Sequence, residues 1–253
     1  MKIRLLGMMF VTFAALVPLK GSQAGFKANT LQSLKNSDDP DFSAYAKAFV
    51  EAVEFSTHKT PVRSKLPGGF SFYLELGASA FDMNDQLLVD VLDIPPGGRL
   101  ADSLESIYFK AGTGLPFGFS AELGATQVLG KNKLTSVFAD FAFQAFDFAN
   151  LVYTDMVPNL SISTGVNYIV SGPSLFSLNS QVMIGAYHRL WMAQVSYIFS
   201  VSWAQLSDLT PNYRAWLIRH GLSSHWPLFE GIFLTSNIFY KPIEAAISLG
   251  YQF

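Results

Sequence analysis

From residue 69 onward, apolar and polar residues alternate with a period of two, the spacing of a strand that shows one face to an apolar medium and the other to a polar one. The longest run puts Trp191, Ala193, Val195, Tyr197, Phe199, Val201 and Trp203 on one parity, against Met192, Gln194, Ser196, Ile198, Ser200 and Ser202 on the other. Leu160, Ile162, Thr164, Val166 and Tyr168 oppose Asn159, Ser161, Ser163, Gly165 and Asn167 in the same way. Leu178, Val182, Ile184 and Ala186 oppose Ser177, Asn179, Gln181 and Gly185, and Phe70, Phe72, Leu74 and Leu76 oppose Ser71, Tyr73, Glu75 and Gly77. The pattern predicts strands near 69–81, 105–113, 118–129, 133–147, 158–170, 176–188, 190–204, 214–225, 229–240 and 243–253. Ten is an even number suited to a closed up-and-down sheet, and about 8 or about 12 would satisfy most of the same pattern.

Composition decides which face meets which medium. The chain is 50% hydrophobic and 15% aromatic with only 14% charged residues, where a soluble domain carries about 25%. The stretch between Asp155 and His188 has no formal charge, yet it is scattered with Asn, Ser and Gln and broken at Gly172-Pro173, which argues against a spanning helix. An apolar sheet in hydrocarbon must close, because an open edge leaves backbone donors and acceptors without partners. A soluble sandwich or lipocalin-like barrel would also alternate, but its polar face would carry Lys, Glu and Thr rather than the Ser, Gly, Asn and Gln found here. The expected fold is therefore all-β: a transmembrane antiparallel up-and-down β-barrel of the outer membrane. Trp191, Tyr197 and Trp203 are candidates for its aromatic girdle.

The last strand alternates strictly, with Ile243, Ala245, Ile247, Leu249, Tyr251 and Phe253 on one parity. Leu249, Tyr251 and the closing Phe253 resemble the C-terminal signal that the barrel-assembly machinery reads in outer-membrane proteins. At the other end, Lys2 and Arg4, the apolar run Leu5 to Val17 and Ser22-Gln23-Ala24 read as a secretory signal over residues 1–24. Residues 25–68 form a separate N-terminal segment, expected on the periplasmic side. There Asp39-Pro40 starts a helix of roughly 40–57, with Phe42, Tyr45, Phe49 and Val53 along one face. Such a helix would close the lumen from below or lie at the membrane interface. The barrel takes 69–253, with both termini periplasmic and the longest loop, 82–104, outside.

The run Gly114-Leu115-Pro116-Phe117-Gly118, the following Glu122 and Gly124, and Val157-Pro158 opening a strand that ends at Ser171-Gly172 carry a resemblance. With His58-Lys59 before them, they are similar to motifs of a family of small, largely uncharacterised bacterial outer-membrane β-barrel proteins. Thr113 stands where that pattern has a lysine. The resemblance spans much of 55–185 and implies fold and location, not an activity.

Glu75, Lys110, Glu122, Asp140, Arg219 and Glu244 are the ionisable residues on inward-facing parity. They read first as paired charges filling a narrow barrel, and second as a pore lining with a slight preference for cations, since carboxylates outnumber bases. Four histidines, His58, His188, His220 and His225, provide no catalytic arrangement: only His220 is expected within a strand, facing outward, and the others on the periplasmic side. No metal-ligand spacing, phosphate loop or cofactor motif is present, and the chain has no Cys. A net charge of −2 provides no attraction to nucleic acid. The expected partners are outer-membrane lipid and the assembly machinery. The function expected is a structural barrel or narrow small-solute channel; a hydrophobic-solute transporter or a surface-loop binding protein are the alternatives, and an enzyme is not expected.

Overall fold

The computed structural model describes residues 46, 47, 50, 51, 70–82, 103–128, 134–144, 156–171, 174–188, 193–207, 213–240 and 243–253. The signal segment 1–24, Trp191 and most of the 40–57 helix lie outside these residues. The strands are β1 (Ser71–Asp82), β2 (Ser103–Gly114), β3 (Phe119–Val128), β4 (Thr135–Gln144), β5 (Met156–Ser171), β6 (Leu175–His188), β7 (Ala193–Leu206), β8 (Tyr213–Phe229), β9 (Ile232–Tyr240) and β10 (Glu244–Gln252). Each pairs antiparallel with its chain neighbours, and β1 pairs with β10, so the ten strands form a closed barrel. Closure leaves the sheet without a free edge.

Antiparallel connection gives the barrel two distinct rims. The turns β2–β3, β4–β5, β6–β7 and β8–β9 share one rim with Phe70 and Phe253, the near rim; the remaining connections lie at the far rim. Near the seam, the Phe253 amide donates to the Phe72 carbonyl (2.8 Å) and the Gln252 amide to the Gly231 carbonyl (2.6 Å). The β2–β3 turn holds a single 3-10 stretch, Pro116–Gly118, in which Phe117 adopts φ 62, a left-handed conformation unusual for an aromatic residue.

The two parities separate as the alternation requires. In β7, Val195, Tyr197 and Phe199 are exposed, while Gln194, Ser196, Ile198, Ser200 and Ser202 are buried. In β10, Ile247 is exposed and Glu244, Ala246 and Ser248 are buried. The small polar residues thus face inward and the large apolar ones outward, the reverse of a water-soluble sheet packed on an apolar core.

Strand ends differ from the sequence expectation, most clearly at the β8–β9 turn. The β8–β9 turn, expected at 226–228, lies at Glu230-Gly231, where Gly231 takes φ 78. Pro227 does not end the strand: it pairs with Phe233 of β9, two residues past the last described pair of β8 with β7, Gln194–His225. Pro158 likewise lies inside β5, where it pairs with Ala186 of β6, three residues before the described pair Gln144–Ser161 with β4. As a consequence His225, expected at the end of its strand, lies four residues inside β8, with Nδ1 3.2 Å from Thr235 Oγ1 and its ring 4.9 Å from that of Phe233.

Candidate functional site in the barrel interior

The inward positions of β1 to β4 carry charges and rings. Lys110 Nζ stands 3.2 Å from Glu75 Oε2 and 3.9 Å from Glu122 Oε2, with Lys110 and Glu75 fully buried. Cross-strand register brings them together: Glu75 faces Lys110, and Glu122 on β3 faces Asp140 on β4. The second oxygen of Glu75 accepts a hydrogen bond from Ser248 on β10, and Lys110 also lies 5.9 Å from the centre of the Tyr108 ring. Burying an ionised group is costly unless it is paired, and these pairs are what makes the cluster tolerable.

Several large inward side chains, on this wall and on β9, lie over glycines. Tyr73 covers Gly112, its direct cross-strand partner, and Tyr108 covers Gly77 in the opposite sense. Phe138 covers Gly124, Phe233 covers Gly250, and Asp140 covers Gly165, each again the residue directly opposite. A Cβ at any of these glycines would overlap the covering side chain. Laid against the sheet, a ring fills the barrel at the wall and leaves the axis to other groups.

The β5–β7 wall is different. It turns inward Asn159, Ser161, Ser163 and Asn167, then Ser177, Asn179 and Gln181, then Gln194, Ser196, Ser200 and Ser202, all buried. Gln144 Nε2 donates to Asn159 Oδ1 (2.8 Å) and Gln194 Nε2 to Ser196 Oγ (3.1 Å). The side-chain polar atoms of Ser161, Asn167 and Ser200 find no hydrogen-bond partner among the described residues, and buried polar atoms of this type are normally served by water. Met183, Ile198 and Phe239 add a small apolar cluster to the interior.

Closer to the far rim, Arg219 Nη1 donates to Glu244 Oε2 at 3.1 Å, both side chains buried. Nη2 of the same guanidinium donates to the backbone carbonyl of Glu51. Residues 46, 47, 50 and 51 are helical, with Ala46 and Val50 fully buried and Lys47 3.8 Å from Glu51. The described helical turn is therefore held at an inward arginine of β8, and it contributes to filling the barrel.

All six charged residues expected inside face inward, Asp140 as the half-exposed member. They fall into two groups: Glu75, Lys110, Glu122 and Asp140 in one, Arg219 and Glu244 in the other. Tyr197 lies on the outer face midway along β7 and Trp203 on the outer parity nearer the far rim, opposite Trp216. The helical contact with Arg219 and the seating of rings on glycines had no signal in the sequence beyond the glycines and rings themselves. Among the described residues no group of His, Cys, Asp and Glu is arranged to hold a metal. No protein-family model and no curated protein matches the chain.

Proposed function

We propose that this chain is an integral outer-membrane β-barrel, a structural element or narrow small-solute channel whose interior is filled by its own side chains. The observation that carries the reading is the chemistry of the outer face. It is dominated by apolar side chains, and several of its hydroxyl and indole groups bond to one another: Thr164 Oγ1 lies 3.3 Å from Ser180 Oγ, Ser224 Oγ lies 2.8 Å from Ser236 Oγ, and Trp226 Nε1 donates to Ser224 Oγ at 3.0 Å. In water such surface hydroxyls need no protein partner; in hydrocarbon they do. Exposed aromatics near the rims add support. Towards the far rim Tyr168 faces Phe176, the Phe176 ring is 6.3 Å from Trp203, and Trp203 faces Trp216. Towards the near rim Phe119 stacks on Phe141 at 5.5 Å, and Tyr251 meets Phe253 edge-on at 4.9 Å.

A chain of this kind would be exported by residues 1–24, read by the barrel-assembly machinery through Leu249, Tyr251 and Phe253, and set in the outer membrane with both termini in the periplasm. The resemblance to small outer-membrane barrels fits the same reading. It assigns no enzymatic activity and no cofactor. Within the interior, four carboxylates against two bases favour cations among any solutes that pass. The test combines insertion and conductance. The purified protein should show heat-modifiable mobility in detergent gels and float with lipid vesicles, and conductance in planar bilayers should be small and cation-selective. Recovery as a detergent-free soluble protein would remove the membrane reading. Absence of conductance both with and without residues 25–60 would leave only the structural role.

A further inference from the structure

The helical turn meets the barrel at a point where the wall is short of hydrogen-bond partners. Arg219, inward on β8, donates from Nη2 to the Glu51 carbonyl and from Nη1 to Glu244 Oε2 at 3.1 Å. Its cross-strand neighbour on β7 is Ser200, and Asn179 on β6 stands diagonally across from Ser200. Ser200 Oγ and Asn179 Oδ1 are buried and find no hydrogen-bond partner. The turn itself has two sides. Ala46 and Val50, four residues apart, are fully buried, whereas Lys47 and Glu51, also four apart, keep 60% and 28% of their side chains exposed. The buried pair carries no group that could serve a hydroxyl or an amide. The turn thus brings apolar side chains next to an arginine whose neighbours on the wall are polar.

We infer that this turn is an intramolecular plug latched by Arg219, and that the barrel passes solute when the latch opens. The inference rests on the channel reading above. Two features make the seat reversible. Glu244 remains the ion-pair partner of Arg219 when the Glu51 carbonyl leaves, so release does not strand a buried charge, which is the costly event in breaking such a pair. Water that takes the turn's place can also serve the guanidinium, Ser200 Oγ and Asn179 Oδ1 together. The seated state buries Ala46 and Val50; the released state satisfies the wall. Opposed gains of this kind leave two states close in free energy, and one hydrogen bond then decides their populations. A permanent filling of the barrel would match polar wall to polar side chain, as Lys110 matches Glu75.

The chain has no Cys, so Val50→Cys places a unique thiol on the buried side of the turn, and its rate of reaction with a charged thiol reagent reads how often the turn leaves its seat. The test uses the full chain, refolded in detergent and reconstituted in planar bilayers. In the Val50→Cys protein, the charged adduct should prevent reseating and raise the time-averaged conductance. Two latch variants are then built on it. Arg219→Lys keeps a cation for Glu244 but has one nitrogen where the guanidinium uses two, and Arg219→Met with Glu244→Leu removes both charges together. In each, thiol reaction and conductance should rise together by about tenfold, the factor that corresponds to loss of one hydrogen bond with a charged donor. Unchanged thiol reaction in a latch variant with heat-modifiable mobility would overturn the latch, and higher conductance without faster reaction would make Arg219 a pore charge instead. Should neither latch variant fold, the adduct decides: a labelled Val50→Cys protein that conducts no better than the unlabelled one overturns the plug. Equal conductance from wild type, adduct and variants refutes the plug alone, whereas no conductance from any of them, however fast the thiol reacts, refutes the channel reading with it.

Discussion

The β1–β4 wall turns inward Glu75, Lys110, Glu122 and Asp140 among rings seated on glycines, whereas the β5–β7 wall turns inward no ionisable group among the described residues. Both walls are polar and buried, yet they meet the cost of burial differently. Glu75, Lys110 and Glu122 on the first wall depend on particular partners one strand away, as Lys110 does on Glu75 at 3.2 Å. The amides and hydroxyls of the second wall accept any donor or acceptor of suitable geometry, including water. The charged wall is thus where register and stability are specified. The neutral wall is where substitution is tolerated and where small hydrated solutes would find hydrogen bonds without a fixed charge.

Removal of the lysine should break this contrast most severely. Lys110→Met leaves Glu75 and Glu122 without their shared cation, and breaking a buried pair by removing one partner costs about 3–5 kcal/mol. The expected outcome is a large fall in the urea midpoint of the folded barrel, or failure to fold, followed by gel mobility. Gly112→Val comes next: its side chain would collide with the Tyr73 ring, and overpacking of this type costs about 1–3 kcal/mol. Shortening the ring in the same chain with Tyr73→Ser should recover part of the loss, a coupling that a double-mutant cycle reads directly. Asn179→Leu and Ser200→Ala on the neutral wall should each change stability by less than about 1 kcal/mol, because no protein partner of the altered side chain is stranded. A loss as large as that of Lys110→Met would mean that the two walls are not distinct. Ser224→Ala on the outer face should have the smallest effect, about 0.6 kcal/mol in lipid, by leaving the Trp226 indole N–H without its acceptor.

Much of the barrel is legible in the sequence because its physics is one-dimensional. A strict alternation such as Val195, Tyr197 and Phe199 against Gln194, Ser196 and Ser200 sets orientation residue by residue, and it also identifies Glu75, Lys110, Arg219 and Glu244 as inward-facing. What fails depends on neighbouring strands. Pro227 looks like a terminator, yet β8 runs through it to Phe229 and pairs it with Phe233 of β9. The division of the charges into two groups, and the glycine under each ring, require knowing which residue faces which across a pair. A list of inward parities contains no such information. The Arg219 contact with Glu51 is more remote still, since it links positions separated by 168 residues.

The β1–β2 hairpin carries two of these seated rings in opposite directions: Tyr73 reaches across to Gly112, and Tyr108 reaches back to Gly77. Sliding one strand past the other by two positions would preserve every inward and outward side chain, which is the slip that alternation alone permits. It would also drive Tyr108 onto Glu75 or Ser79 instead of a bare backbone. The pair therefore works as a two-pin key. Only one alignment seats both phenols, so this hairpin can fix the stagger of the cylinder before the other strands have joined it.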